Sequence, residues 1–312
     1  MPRYIITSVA IFFSVLSFAQ NHKFSFDYSY GMAGGSTPTT TPIVNADAIS
    51  AKQADDLVKY FLESSKLDFK CIYNGCQNRA MVMSLLLKKK GIKHYKIWNF
   101  DPFKISIFNG QDALEVDDAL KLKAGKVFWD FHVAIALVVK NGSSSADTLV
   151  IDPSFANRPI KVTEWLGMQN SPNSYYTFLD PVWYNYVTLQ PGTSLNCNGV
   201  YNTLNLPACF PALLTGDFYS YSPINQQIIA EELATNEQIT KFAESIIAKM
   251  ETTDPDRGVL ISLVSDNFYL FRDILAGKVV IDRTNPFSKY LNEYKKSYAI
   301  SLAYWSEQLQ SL

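Results

Sequence analysis

Cysteine, histidine and aspartate are the residue types in this 312-residue chain whose spacing could support nucleophilic catalysis. The chain has three histidines, and His132 lies inside the apolar stretch WDFHVAIALVV, which is typical of a β-strand. Cys76 directly follows Gly75 at the start of a predicted helix, where the helix dipole and the free N–H groups stabilise a thiolate. A thiolate beside an imidazole can attack a carbonyl carbon and form a thioester.

The candidate third member of this site is Asp152, at the end of the strand that follows the Asn141-Gly142 turn. Antiparallel counting across this hairpin puts Asp152 within about one residue of His132. A carboxylate there can fix the imidazole tautomer and stabilise the charged ring. Asp130 is the alternative. Side chains two residues apart on one strand point in parallel, so we prefer Asp152.

Other interpretations of these residues stay open at the level of sequence. His22 lies in the N-terminal segment, and His94 lies at a helix-to-strand junction, where a solvated polar role is expected. His132 could be a core histidine whose hydrogen bonds are satisfied. Cys76 could be an inert buried thiol or could pair with Cys71 in an oxidising compartment. Trp129 could form a wall of the cleft, although a tryptophan in a buried strand favours a core role.

A helix and a hairpin must bring the three candidate side chains together. The sequence predicts helices over 46–65 and 77–90, a strand over 94–100, an insertion over 101–126, a long strand over 127–140 and a return strand over 148–152. The second helix carries a stripe that starts with Cys76 and Ala80. We expect this stripe to pack on the strand face of Ala134 and Ala136, because small residues let a helix approach closely and this contact puts Cys76 near His132.

From Ser222 onward the pattern becomes helical. Apolar residues recur at helical spacing up to Met250, over 256–276 and from Asn285 to the C-terminus. We therefore predict a mixed domain over 46–216 and a helical domain over 217–312.

Composition and the N-terminus narrow the classes of function. A hydrophobic fraction of 47% excludes an intrinsically disordered chain, and a net charge of -1 offers no basic excess for nucleic acid. Residues 1–19 are typical of a secretory signal with cleavage after Ala19, which predicts a secreted or periplasmic protein; residues 20–45 predict a flexible lead-in. Stable membrane insertion is not expected, because no second apolar run is long enough.

The remaining cysteines do not point to a metal. Cys71 and Cys76 lack a second close Cys/His pair with zinc-ligand spacing, and no glycine-rich phosphate loop precedes a helix. We expect neither a metal nor an organic cofactor. Cys197 and Cys209 flank a loop and could form a disulfide or stay as free thiols.

Around the candidate residues the sequence resembles the secreted bacterial protein-glutaminases, also called protein glutamine deamidases. The matching stretches are NGCQNRAMVMSLLLKKKG, WDFHVAIALVVKNGSSSADTLVIDPS and, more weakly, YNTLNLPACFPALLTGD. The catalytic triad of that family falls on Cys76, His132 and Asp152. The resemblance implies an α+β fold with a papain- and transglutaminase-like core, in which a helix bearing the cysteine packs on an antiparallel sheet. With the helical pattern after residue 222, an all-α C-terminal region follows this core.

The resemblance also implies an activity: hydrolysis of glutamine side-chain amides in proteins or peptides to glutamate and ammonia through a thioester. A transglutaminase or a cysteine protease could use the same triad. A secreted binding protein without catalysis is the alternative of a different class. For the helical region after residue 222, the hypothesis is that it regulates the enzyme by covering or gating the cleft in place of a pro-region, or that it binds a partner.

Overall fold

The computed structural model describes residues 47–100, 113–123, 125–129, 131–142, 145–171, 174–182, 184, 221 and 223–312. Outside the described residues lie the predicted signal peptide, the predicted lead-in, His22, Asp130, Cys197 and Cys209. The described part up to residue 184 mixes helices with antiparallel sheet, and the part from residue 223 is helical. The predicted α+β class with a helical C-terminal region is therefore confirmed.

The predicted elements appear in the predicted order with shifted boundaries, and the structure adds three strands and a short helix that the sequence analysis does not predict. The mixed part contains α1 (Ala51–Glu63), α2 (Cys76–Lys89), β1 (Tyr95–Phe100), β2 (Leu114–Asp117), β3 (Lys126–Trp129), β4 (Phe131–Asn141), β5 (Ser145–Ile151), β6 (Ile160–Lys161), α3 (Val162–Gly167) and β7 (Tyr175–Leu179). The helical part contains α4 (Pro223–Ser245), α5 (Pro255–Ser265), α6 (Phe268–Leu275) and α7 (Leu291–Ser311), with short 3-10 turns at Ile247–Lys249 and Pro286–Lys289.

The larger sheet has the strand order β6-β5-β4-β1-β7, and each of its neighbouring pairs is antiparallel. Strands β2 and β3 form a separate two-stranded sheet. The prediction of a single long strand over 127–140 is wrong. The first part of this stretch is β3, which pairs with β2 from the predicted insertion, and the rest is β4 in the larger sheet. A strand can keep its apolar alternation while it changes partners, so alternation alone does not reveal a change of sheet.

Helix α2 packs on the bulky face of β4 rather than on its small face. Ala80 clusters with Trp98 and Val133, and Cys76 packs against that cluster. Ala134 and Ala136 lie in a different cluster, together with Trp165 of α3. The predicted packing of α2 on the alanine face is therefore wrong: one large aromatic side chain occupies the room that the small residues leave.

The main hydrophobic cluster joins the mixed and helical parts of the chain. It includes Phe61 of α1 and Met81 of α2 together with Ile229 and Phe242 of α4, all of them buried. Helix α4 packs along α7 and also contacts α2. Among the described helices, none is both long and apolar enough to cross a bilayer. The helical part therefore shares its core with the helix that carries Cys76.

Candidate active site

Cys76 is the first residue of α2, as the sequence predicts. The preceding Gly75 caps the helix in a left-handed conformation with φ of 83°. The helical ladder begins when the Arg79 amide donates to the Gly75 carbonyl at 3.0 Å, so the amides at positions 76–78 lie outside the ladder. The Cys76 thiol is half-buried and free, and its Sγ lies 3.5 Å from Oε1 of Gln77. The residue therefore combines an accessible thiol with a helix N-terminus.

His132 and Asp152 form a buried hydrogen-bonded pair, with 2.6 Å between Nε2 and Oδ2. Ile135 lies opposite Ile151 in the β4–β5 ladder, so Asp152, which follows β5, falls beside Ala134. The offset from His132 is thus two residues, where about one is predicted. The pair still forms because the two side chains share a face and a diagonal neighbour is within reach.

Two indole rings surround this pair. Trp165 Nε1 donates a hydrogen bond of 2.9 Å to Oδ2 of Asp152, the oxygen that also contacts His132. Trp129 stacks on the imidazole with 4.5 Å between ring centroids and donates from Nε1 to the Ile72 carbonyl at 2.9 Å. Trp129 is half-buried, so its position fits a wall of the site better than the predicted core role. The imidazole is therefore held by packing as well as by Asp152.

The charges in the site favour a protonated imidazole. Burial lowers the pKa of His132, but the Asp152 carboxylate and then Cys76 outweigh burial and raise this pKa to about 9. Burial alone would raise the pKa of Asp152, but the neighbouring His132 lowers it. Within the described part of the chain, His132 Nδ1 has no hydrogen-bond partner. The other ring nitrogen, Nε2, is the one that contacts Asp152.

Cys71 does not share these properties. Both Cys71 and Cys76 are free thiols, so the alternative of a disulfide between them is not realised. Cys71 is fully buried, its Sγ lies 3.5 Å from Oδ1 of Asn236, and burial raises its pKa far above the ordinary range. Cys71 is therefore a poor nucleophile at neutral pH.

His94 differs from the solvated residue that its position predicts. It is buried, its Nε2 lies 2.7 Å from Ser84 Oγ, and its Nδ1 lies 2.9 Å from the Ile92 carbonyl. Burial lowers the pKa of His94 to about 4, so its ring is neutral at pH 7. The solvated role is wrong because α2 and β1 enclose the junction between them.

The predictions from sequence miss several polar residues that hold the turn before Cys76. The Arg79 guanidinium donates from Nη1 to the carbonyls of Cys71 at 2.8 Å and Asn74 at 3.2 Å. Glu232 and Asn236 of α4 reach the same region and are buried. Glu232 and Asn236 lie one turn apart among apolar residues such as Ile229 and Leu233, which is a signal that the sequence does contain.

Comparisons with known proteins bear on residues 47–169, which match the glutaminase family model. The solution structure of protein-glutaminase from Chryseobacterium proteolyticum is 21% identical, with a TM-score of 0.37, and the match covers 47% of this chain and 78% of that one. A crystal structure of protein-glutaminase is 17% identical over 67% of this chain and 97% of that one, with a TM-score of 0.39. A crystal structure of pro-protein-glutaminase is 20% identical over 56% and 65%, with a TM-score of 0.37.

No curated protein matches the chain in sequence. The matched segment contains Cys76, His132 and Asp152, so the resemblance stated from the sequence is confirmed at the level of the family. The chain is thus similar to the glutaminase family over residues 47–169, the segment that contains the candidate site.

Proposed function

We propose that this protein is a protein-glutamine deamidase in which Cys76 is the nucleophile, His132 the acid and base, and Asp152 the group that orients His132. The observation that carries the proposal is the buried His132–Asp152 pair, which lies beside a half-buried cysteine at a helix N-terminus. The match of residues 47–169 to the glutaminase family supports glutamine amides as the bond that is cleaved.

In the first half-reaction the Cys76 thiolate attacks the carbonyl carbon of a glutamine side chain. The negative oxygen of the tetrahedral intermediate faces the N–H groups at the start of α2, which lie outside the helical ladder. The imidazolium of His132 gives its proton to the amide nitrogen, and the carbon–nitrogen bond breaks to release ammonia. A thioester between Cys76 and the substrate side chain remains.

In the second half-reaction a water molecule attacks the thioester. Neutral His132 accepts the proton of this water, and the carbon–sulfur bond breaks. The products are the Cys76 thiolate beside the protonated imidazole and a glutamate side chain, whose carboxyl proton passes to solvent. Asp152 holds the ring orientation through both steps and stabilises its positive charge.

Incubation of the purified protein with casein tests this proposal against its alternatives. A deamidase releases ammonia and converts glutamine to glutamate, and it leaves casein neither cut nor crosslinked. Casein fragments would identify a protease, and crosslinked casein would identify a transglutaminase. Unchanged casein would favour the alternative of a binding protein without catalysis, and so would a Cys76→Ala protein that keeps whatever binding function the wild-type protein has.

We also propose that the protein is exported and that its helical region 217–312 is regulatory. Cleavage after Ala19 and export predict a mature protein that begins at Gln20, which N-terminal sequencing of the protein outside the cytoplasm tests. If the region 217–312 is regulatory, holding its helices in place should change the rate of ammonia release from casein. The shared hydrophobic core makes removal of these helices unsuitable as a test, because the remainder loses its packing.

A further inference from the structure

Helix α4 approaches the turn before Cys76 very closely. A Cβ atom at Gly75 would lie 2.8 Å from Nδ2 of Asn236, a separation that requires one of the two groups to move. The same Nδ2 donates to the Asn74 carbonyl at 3.3 Å, and Asn236 Oδ1 lies 3.5 Å from Cys71 Sγ. The backbone that leads into Cys76 therefore lies directly against α4.

Asn78, two residues after Cys76, links α2 to this helix more firmly. Its Nδ2 donates to Oε2 of Glu232 at 2.6 Å, and its Oδ1 accepts from the Tyr184 hydroxyl at 2.6 Å. Asn78 is fully buried, so an unpaired end of its amide would be costly. Both ends of this amide are thus fixed in the first turn of α2, beside the thiol.

Glu232 is itself embedded in a set of polar groups. It accepts a hydrogen bond from Tyr269, and the positive charge of Arg272 lies nearby. Burial, opposed by Asn78 and Arg272, raises the pKa of Glu232 to about 7. The Glu232 carboxyl group is therefore buried where its ionisation costs free energy. No step of the proposed reaction uses its proton.

We propose that Glu232 is a positioning residue for Cys76, which acts through the amide of Asn78. This inference rests on the proposed function only in that Cys76 is taken as the nucleophile. The hydrogen bond from Asn78 to Glu232 fixes the first turn of α2, and with it the direction of the thiol and of the N–H groups at 76–78. Helix α4 is then part of the machinery that presents the nucleophile, beyond its role in the core.

The test compares Glu232→Leu, which removes the acceptor, with Glu232→Gln, which keeps an acceptor oxygen for Asn78. The first measurement is the rate at which iodoacetamide alkylates Cys76 across a pH series, read on the Cys76 peptide by mass spectrometry. We expect Glu232→Leu to slow alkylation at neutral pH about fivefold, because a misplaced thiol loses its contacts with the helix N-terminus and His132. Glu232→Gln should stay within about twofold of wild type.

The second measurement separates kcat from KM for ammonia release from casein. Glu232→Leu should lower kcat about tenfold and change KM less than about twofold, because the residue lies behind the nucleophile and does not face the substrate. The matched control is Glu237→Gln on the same helix, whose carboxylate bonds Ser301 and Lys241 instead. This control should leave both measurements unchanged.

A milder variant covers the case in which Glu232→Leu does not fold. Tyr184→Phe removes the other hydrogen bond of Asn78 and keeps the ring, and Tyr294→Phe is its control, since that hydroxyl bonds Ser245 far along α4. Tyr184→Phe should slow alkylation of Cys76 about twofold, and Tyr294→Phe should not.

Two results would overturn the inference: wild-type alkylation and kcat in a folded Glu232→Leu or Tyr184→Phe protein, or equal loss in Glu232→Gln and Glu232→Leu. A wild-type protein without deamidase activity would contradict the proposed function, and the alkylation series would still decide the positioning role.

Discussion

His132 is the residue whose charge state decides the chemistry at the candidate site. Its pKa of about 9 leaves the ring protonated at neutral pH, beside an ionised Asp152. This pKa lies above the ordinary histidine pKa of about 6.5. The ion pair therefore contributes its full stabilisation of the fold below about pH 6.5. Its contribution is lost as the pH rises through about 9. In the proposed mechanism, the stability of the fold and catalysis therefore depend on the same proton.

The first prediction is a pH profile of kcat/KM for ammonia release. In the proposed mechanism the imidazolium is the proton donor for release of ammonia, so activity should fall as the pH rises through about 9. An alkaline limb near the ordinary histidine pKa of about 6.5 would contradict the strength of the His132–Asp152 interaction.

The second prediction concerns Trp165, which donates to the same oxygen of Asp152 as His132. Trp165→Phe keeps an aromatic ring and removes this donor. We expect kcat to fall about tenfold and the free energy of unfolding to fall by about 1.5–3 kcal/mol, because hydrogen bonds to charged groups are worth about that much. The control is Trp305→Phe in α7, where the indole is buried among helices. A similar loss of kcat in both variants would count against a role of Trp165 in the site.

At the scale of the elements, the main helices and the β4–β5 hairpin could be predicted in order, whereas β2, β6, α3 and β7 and the faces that the elements use could not. The start of α2 at Cys76 and the β4–β5 hairpin follow from a glycine cap, an apolar run and a turn, all of which are local signals. The face of β4 that receives α2 depends on Trp165, which is distant in sequence and fills the space above Ala134. Local patterns do not carry such long-range contacts.

The third prediction tests the fit between Gly75 and α4. Gly75→Ala forces a left-handed alanine and a contact with Asn236, whereas Gly91→Ala at the other end of α2 has a similar φ of 70° and no atom within 4 Å of the new Cβ. Denaturant unfolding should therefore show a larger loss for Gly75→Ala, by about 1–2 kcal/mol beyond the cost of Gly91→Ala.

A double-mutant cycle isolates that contact. In an Asn236→Ala background most of the excess cost of Gly75→Ala should disappear, because the group at 2.8 Å from the new Cβ is gone and the next neighbour, Asn78 Nδ2, lies farther away at 3.2 Å. Equal costs for Gly75→Ala and Gly91→Ala in the wild-type background would mean that the close approach of α4 has no energetic effect.

At the scale of the whole molecule, the helical part is joined to the mixed part through one hydrophobic cluster. The sequence shows the change of pattern near residue 222, and the division into 46–216 and 217–312 remains a prediction. Apolar periodicity identifies the buried face of each helix but not the element that covers it. The contact of α4 with α2 could therefore not be predicted from periodicity.

The fourth prediction is that the chain unfolds in one cooperative step. Phe61→Ala in α1 and Phe242→Ala in α4 each remove a fully buried ring from the same cluster. Each should lower the free energy of unfolding by about 3–5 kcal/mol. Both should move a single transition, followed in parallel by circular dichroism and by tryptophan fluorescence. Two separate transitions, each sensitive to only one of the variants, would show that the two parts fold independently.

The central claim is that the thiol of Cys76 releases ammonia from glutamine side chains in proteins. The most direct measurement is ammonia release from casein by the full-length protein and by Cys76→Ala, with peptide mapping of glutamine and glutamate. The account predicts release by the wild-type protein and a loss of at least about 10³-fold in a folded Cys76→Ala protein. Ammonia release that persists without the Cys76 thiol would contradict the account.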